Sequence, residues 1–208
     1  MLTLIAALGL VDPSTCAAQP GLSHYDVDLA VDTATGSLAA TATVTLAPDQ
    51  VRAEQTFGLG GVYEIQSATS PDAVIDIQPL EGRSRNVVVR PNGPVAGGPV
   101  VFTLRYAGPL QTTGDPPLNA ITPDLVELNL DAGWTPVRTD YTLRYSACLK
   151  IDGLPADAEV ASQGAVTRDG VRVTVAREVP DFDLTFVAAR GLQRVVDGSL
   201  EIYAADPD

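Results

Sequence analysis

His24-Tyr25-Asp26-Val27-Asp28-Leu29-Ala30-Val31-Asp32, and after a short break Leu38-Ala39-Ala40-Thr41-Ala42-Thr43-Val44-Thr45-Leu46, is the stretch that decides the fold. Side chains leave a β-strand on alternate sides. Tyr25, Val27, Leu29 and Val31 therefore share one face, while Asp26, Asp28, Ala30 and Asp32 share the other. The second run repeats the pattern, with Leu38, Ala40, Ala42, Val44 and Leu46 opposed to Ala39, Thr41, Thr43 and Thr45. Between them Thr33 to Ser37 form a turn in which Gly36 can take positive φ. A slip of one residue would turn every apolar side chain to water, so the hairpin register is well specified. An apolar face of this length needs a second layer to cover it.

The rest of the chain continues in the same style. Ala73 to Ile77, Asn86 to Arg90 and Val100 to Tyr106 are β-rich, and glycine and proline clusters separate them. Tyr141 to Ile151 alternates over eleven residues and predicts the longest strand of the second half, centrally placed. Asp169-Gly170 marks a tight hairpin. Phe182, Leu184 and Phe186 predict a further strand, and Leu200 to Tyr203 another. Nothing has helical periodicity over ten residues, and no repeat or Ser/Gly linker divides the chain. The fold class is all-β: a single domain, residues 23–208, of two packed antiparallel or mixed sheets, sandwich or saddle-like, with a long irregular region from Tyr106 to Val137.

Composition agrees with this reading and narrows function. With 208 residues, 45% hydrophobic and 19% charged, the chain can bury ~70% of its unfolded surface and is not a disordered sequence. Its net charge of −13, with Lys150 the only lysine, would repel a phosphate backbone or an anionic bilayer. Residues 1–22 read as a signal or disordered segment. The apolar run Leu2 to Val11 is too short to span a bilayer, and Cys16-Ala17-Ala18-Gln19 resembles a site for cleavage after Ala18, although no basic residues precede the run. Cys16 as a lipid-modified cysteine is the weaker alternative, because Pro13 stands where an aliphatic residue is needed. Export to the periplasm or cell surface is the expectation. Cys148, flanked by apolar residues, is expected to be a small buried side chain without a partner.

Catalytic signatures are missing from this sequence. His24 is the only histidine, so neither a two-histidine zinc helix nor a histidine-rich metal cluster can be assembled. In strand context it reads as a surface residue. No G-x-S-x-G elbow, phosphate-cradling loop or CxxC pair occurs. Asp26 with Asp28, and Asp181 with Asp183, could present paired carboxylates to calcium, but solvated strand faces account for them as well.

Several stretches together resemble one family. His24 to Leu29, the turn through Thr35-Gly36 and the strand to Leu46 are similar to the opening of the N-terminal β-domain of zinc aminopeptidases of the membrane alanyl aminopeptidase type. Leu125-Val126-Glu127-Leu128 and Ala132-Gly133-Trp134-Thr135-Pro136-Val137 resemble a loop that, in bacterial members, approaches the catalytic domain. Glu159 to Gly164 and Val179 to Leu184 resemble the closing strands of the same domain. The likeness covers about residues 24 to 204 and consists of strand patterns without an invariant signature. It implies a non-catalytic module that supports peptide binding beside a catalytic domain in cis or in trans. That domain carries the G-x-M-x-N loop, the H-E-x-x-H helix and the zinc, none of which stands in this sequence. By the same resemblance Glu127 matches a position lining the pocket for the substrate's N-terminus, and Leu128, Trp134 and Val137 would form a docking patch. Trp134 could instead fold back and plug the end of the sandwich. The alternative function is an exported sandwich that binds protein or glycan through its end loops.

Overall fold

The computed structural model describes residues 16–93, 97–115, 117–197 and 200–205. The apolar run Leu2 to Val11, Pro13 and the terminal Asp208 lie outside these. The strands of the first half are β1 (Ser23–Asp32), β2 (Ser37–Leu46), β3 (Gln55–Gly60), β4 (Glu64–Thr69), β5 (Ala73–Glu81), β6 (Ser84–Pro91) and β7 (Val100–Pro109). Three short strands follow: β8 (Ala120–Ile121), β9 (Leu125–Leu128) and β10 (Val137–Arg138). The second half holds β11 (Tyr145–Asp152), β12 (Glu159–Ser162), β13 (Ala165–Asp169), β14 (Arg172–Asp181), β15 (Phe186–Ala189), β16 (Leu192–Asp197) and β17 (Leu200–Ala205).

The opening hairpin sits inside the main sheet, whose order is β13-β14-β11-β1-β2-β7-β4. Tyr25 stands opposite Val44, Val27 opposite Ala42, Leu29 opposite Ala40 and Val31 opposite Leu38. All eight are buried, whereas Asp28, Ala30, Asp32 and Ala39 are exposed, so the alternation faces as the sequence predicts. Gly36 closes the turn at φ 67°. On its other edge β1 pairs with β11 in parallel, Val27 beside Leu149 and Leu29 beside Ile151, which makes the sheet mixed. Two four-stranded sheets, β10-β3-β6-β5 and β12-β15-β9-β8, contribute to the same core. Phe57 meets Phe102 with ring centroids 4.9 Å apart, and Leu128 and Phe186 join from the smaller sheet. β16 and β17 form a separate antiparallel ribbon.

Two predicted strands are shorter than their patterns. Tyr141 and Leu143 lie outside β11, which begins at Tyr145 and is shorter than β14. Asp140 intervenes: its carboxylate accepts from the Thr142 amide and hydroxyl and from Arg138, and Tyr141 is turned out at φ 55°. Likewise Phe182 and Leu184 precede β15. Asp181 accepts from the Phe182 amide, Asp183 from the Leu184 amide and the Thr185 hydroxyl, and these local bonds compete with strand pairing. Asp181 and Asp183 are thus occupied in shaping a turn, and Asp26 is paired with Lys150 at 2.9 Å.

Candidate functional site: the stapled loop and the Glu127 face

The segment from β9 to β10 carries all four residues singled out for binding and docking. Asn119 and Asn129 clamp its start: the Asn129 amide donates to Asn119 Oδ1 at 2.8 Å, and Asn119 Nδ2 donates to Asn129 Oδ1 at 3.0 Å. Asn129 also caps a single 3-10 turn, Leu130–Ala132, by accepting from the Asp131 amide. Gly133 ends that turn at φ 55°, and its carbonyl accepts from the Gly60 amide at 2.8 Å. A Cβ at Gly133 would lie 2.8 Å from the Gly60 nitrogen, so both conformation and space call for glycine.

Three tyrosines from the large sheet and its adjoining loop then hold alternate carbonyls. Tyr63 Oη donates to Ala132 at 3.0 Å, Tyr106 Oη to Trp134 at 2.6 Å, and Tyr25 Oη to Pro136 at 2.8 Å. Loop carbonyls inside a core must be satisfied, and here side-chain hydroxyls do what a neighbouring strand would do elsewhere. Burial disfavours the phenolates: it pushes Tyr63 up to about 12 and raises Tyr25 and Tyr106 well above the ordinary tyrosine value.

This architecture corrects the docking patch. Trp134 is 1% exposed and Leu128 is fully buried, while Val137 is half-buried on β10. The tryptophan plugs the core, because the loop that bears it is drawn inward at three successive alternate residues. The loop's composition conceals this, since two of the tyrosines responsible lie 28 and 111 residues away in sequence.

Glu127 is placed differently. In β9, Val126 and Leu128 point into the core, and Leu125 and Glu127 take the opposite face, half-exposed. Across the sheet Glu127 stands between Ala120 on β8 and Val187 on β15, and Val187 stands beside Ala161 on β12. A carboxylate is thus set in a row of small, partly exposed apolar residues. No group of three or more His, Cys, Asp or Glu side chains among the described residues is arranged to hold a metal ion.

A second polar cluster lies on the outer face of the main sheet, and two expectations fail there. His24 is 6% exposed, not a surface residue, and its Nδ1 lies 2.9 Å from Ser146 Oγ. Burial lowers its pKa; nearby Asp26 works against this and Lys150 with it. Cys148 is buried but not unpartnered, because it forms a disulfide with Cys16. No spacing rule connects two cysteines 132 residues apart; only the parallel placement of β11 beside β1 brings the N-terminal segment across Cys148.

No family model matches the sequence, and no curated protein matches it. Solved structures do. An M1 zinc metallopeptidase from Deinococcus radiodurans superposes with a TM-score of 0.60 at 20% identity, over 89% of this chain and 47% of that one. A two-domain M1 zinc metallopeptidase bound to L-tryptophan gives 0.58 at 22% identity, over 89% and 48%. Leukotriene A4 hydrolase from Saccharomyces cerevisiae gives 0.58 at 14%, over 86% and 30%. This chain thus spans about half the length of the bacterial structures and about a third of the yeast one. Its fold is that of the N-terminal β-domain of the M1 zinc metallopeptidases.

Proposed function

We propose that the chain is the non-catalytic β-module of a zinc aminopeptidase-like protein, acting beside a catalytic domain joined in cis or supplied in trans. The observation that carries this reading is the match of nearly the whole chain to about half of several M1 metallopeptidases. The module contributes binding rather than bond-breaking, and zinc belongs to the other domain. The surface best suited to meet that domain is the outer face around Glu127, where half-exposed Leu125, Val187 and Ala161 border one carboxylate. An anionic side chain at the edge of a peptide cavity suits a substrate's N-terminal ammonium. The protein works outside the cytoplasm with Cys16 retained rather than removed by cleavage after Ala18, a reading that the disulfide supports because such bonds persist in oxidising compartments.

The test is reconstitution with an H-E-x-x-H domain encoded in the same gene or beside it, assayed on aminoacyl p-nitroanilides. The module alone should turn over no faster than buffer, and the pair should be active. Glu127→Gln in the pair should raise KM by about tenfold with little change in kcat, the loss expected for one charge-assisted contact. Turnover by the isolated module, or an unchanged KM, would refute the assignment.

A further inference from the structure

Cys16 to Leu22 is an oddity of this fold: a strap with no strand residue, tethered at Cys16 and Gln19 to β11 and β14 of the main sheet. Its internal turn is closed by the Leu22 amide donating to the Gln19 carbonyl. Beyond the Cys16–Cys148 bond, Gln19 Nε2 reaches the Glu178 carbonyl on β14 at 3.3 Å. On the sheet face bearing Cys148 the burial is uneven. Asp26, Thr43 and Lys150, on the same side of their strands, are half-exposed, whereas His24, Ser146 and Cys148 are buried. Parallel pairing puts His24 beside Ser146 and Asp26 beside Cys148. One covalent bond therefore ties the strap to the sheet face that holds a buried histidine–serine pair.

We propose that the Cys16–Cys148 disulfide is a reversible latch, a site of thiol–disulfide exchange at Cys16 for a dithiol reductant, and that opening it lifts the strap from His24 and Ser146. Exposure sets the direction of attack, since Cys16 is partly exposed and Cys148 is sealed. A thiolate of the dithiol attacks the Cys16 sulfur, a mixed disulfide forms, and Cys148 leaves as thiolate. Lys150, two residues along the same face, is the cation nearest that leaving group on its own strand. The dithiol's second thiolate then displaces Cys16. The protein disulfide gains two electrons and two protons, and the dithiol becomes a disulfide. Among the described residues, what remains of the strap's attachment is the Gln19 side-chain bond at its middle, while β1 and β11 keep their pairing and the core is untouched.

The chain holds one histidine and one tryptophan, which makes the experiment clean. The His24 Cε1–H resonance is followed through a pH titration in the oxidised protein, after dithiothreitol, and in Cys16→Ser. Trp134 emission serves as the check on the fold. The charged groups facing His24 are Asp26 and Lys150, and the strap adds none besides the cysteine itself. Expected are a midpoint that rises toward the ordinary value on reduction, the same midpoint in Cys16→Ser, uptake of iodoacetamide by both thiols, and unchanged Trp134 emission. Three results would overturn the latch: a His24 midpoint indifferent to reduction, loss of the buried Trp134 signal on reduction, or an exported protein whose intact mass begins at Gln19 and so lacks Cys16.

Discussion

Replacing Tyr106 by phenylalanine tests the stapled loop with one atom. Tyr106 is buried, and its hydroxyl donates to the Trp134 carbonyl at 2.6 Å. Phenylalanine keeps the ring and opens no side-chain-sized cavity, so the cost is confined to the bond. A neutral hydrogen bond contributes a net ~1 kcal/mol, and the carbonyl left behind in the core adds its own desolvation, giving a loss of about 1–3 kcal/mol. For a protein of this length that is a fall in Tm of roughly 2–4 °C per kcal/mol. Urea denaturation followed by Trp134 emission is the direct assay, because the reporter indole belongs to the residue whose carbonyl is orphaned. The slope with urea should not change, since the surface exposed on unfolding is the same. If Tyr106→Phe lay within about 0.5 kcal/mol of wild type, the range of silent substitutions, the hydroxyl would not be holding the loop. Tyr25→Phe and Tyr63→Phe should fall in the same range, and the triple variant should loosen Trp134 before global unfolding.

Other consequences follow from the same architecture. Gly133→Ala places a Cβ 2.8 Å from the Gly60 nitrogen at positive φ and should cost more than about 1 kcal/mol by thermal unfolding. Leu29→Ala and Phe186→Ala remove buried side chains from two sheets and should each cost about 2–5 kcal/mol in urea, whereas Asp28→Asn should be nearly silent. Burial raises the folded pKa of Tyr63 to about 12, so its contribution to stability is whole below the unfolded value near 10 and is lost as pH rises through 12. Alkaline unfolding in that window should be shifted upward in Tyr63→Phe. His24 has the opposite sign: its folded pKa is depressed, so its contribution is present above the unfolded value near 6.5 and fades as pH falls below it. Acid titration of His24→Gln by circular dichroism should show a flatter profile as pH falls below the unfolded value near 6.5.

Period-two alternation specifies the register of the opening hairpin locally, because a misregistered pair would expose the face formed by Tyr25, Val27, Leu29 and Val31. The Asp169-Gly170 hairpin is legible for a similarly local reason, with Gly170 at φ 58° where the turn needs it. The same logic places Leu29, Val44, Tyr145, Leu184 and Phe186 in the core, where all five are buried. Alternation overruns at Tyr141 and Phe182, where aspartate side chains capture the backbone and delay the start of the strands that follow.

What local sequence cannot decide is every feature resting on a long-range partner. Trp134 sits in a stretch whose glycines and prolines are equally compatible with an outward or inward ring; the choice is made by hydroxyls on Tyr25, Tyr63 and Tyr106 that reach it only in the assembled sheets. Cys148 and His24 look solitary along the chain because their partners, Cys16 and Ser146, come to them only when β11 lies parallel to β1. The sequence alone determined which faces must be dry, since that is a property of neighbours two residues apart. The tertiary structure decided which loops are held and which polar groups are paired, because these hydrogen bonds and the disulfide join residues 28 to 132 positions apart, whose meeting in space local sequence does not encode.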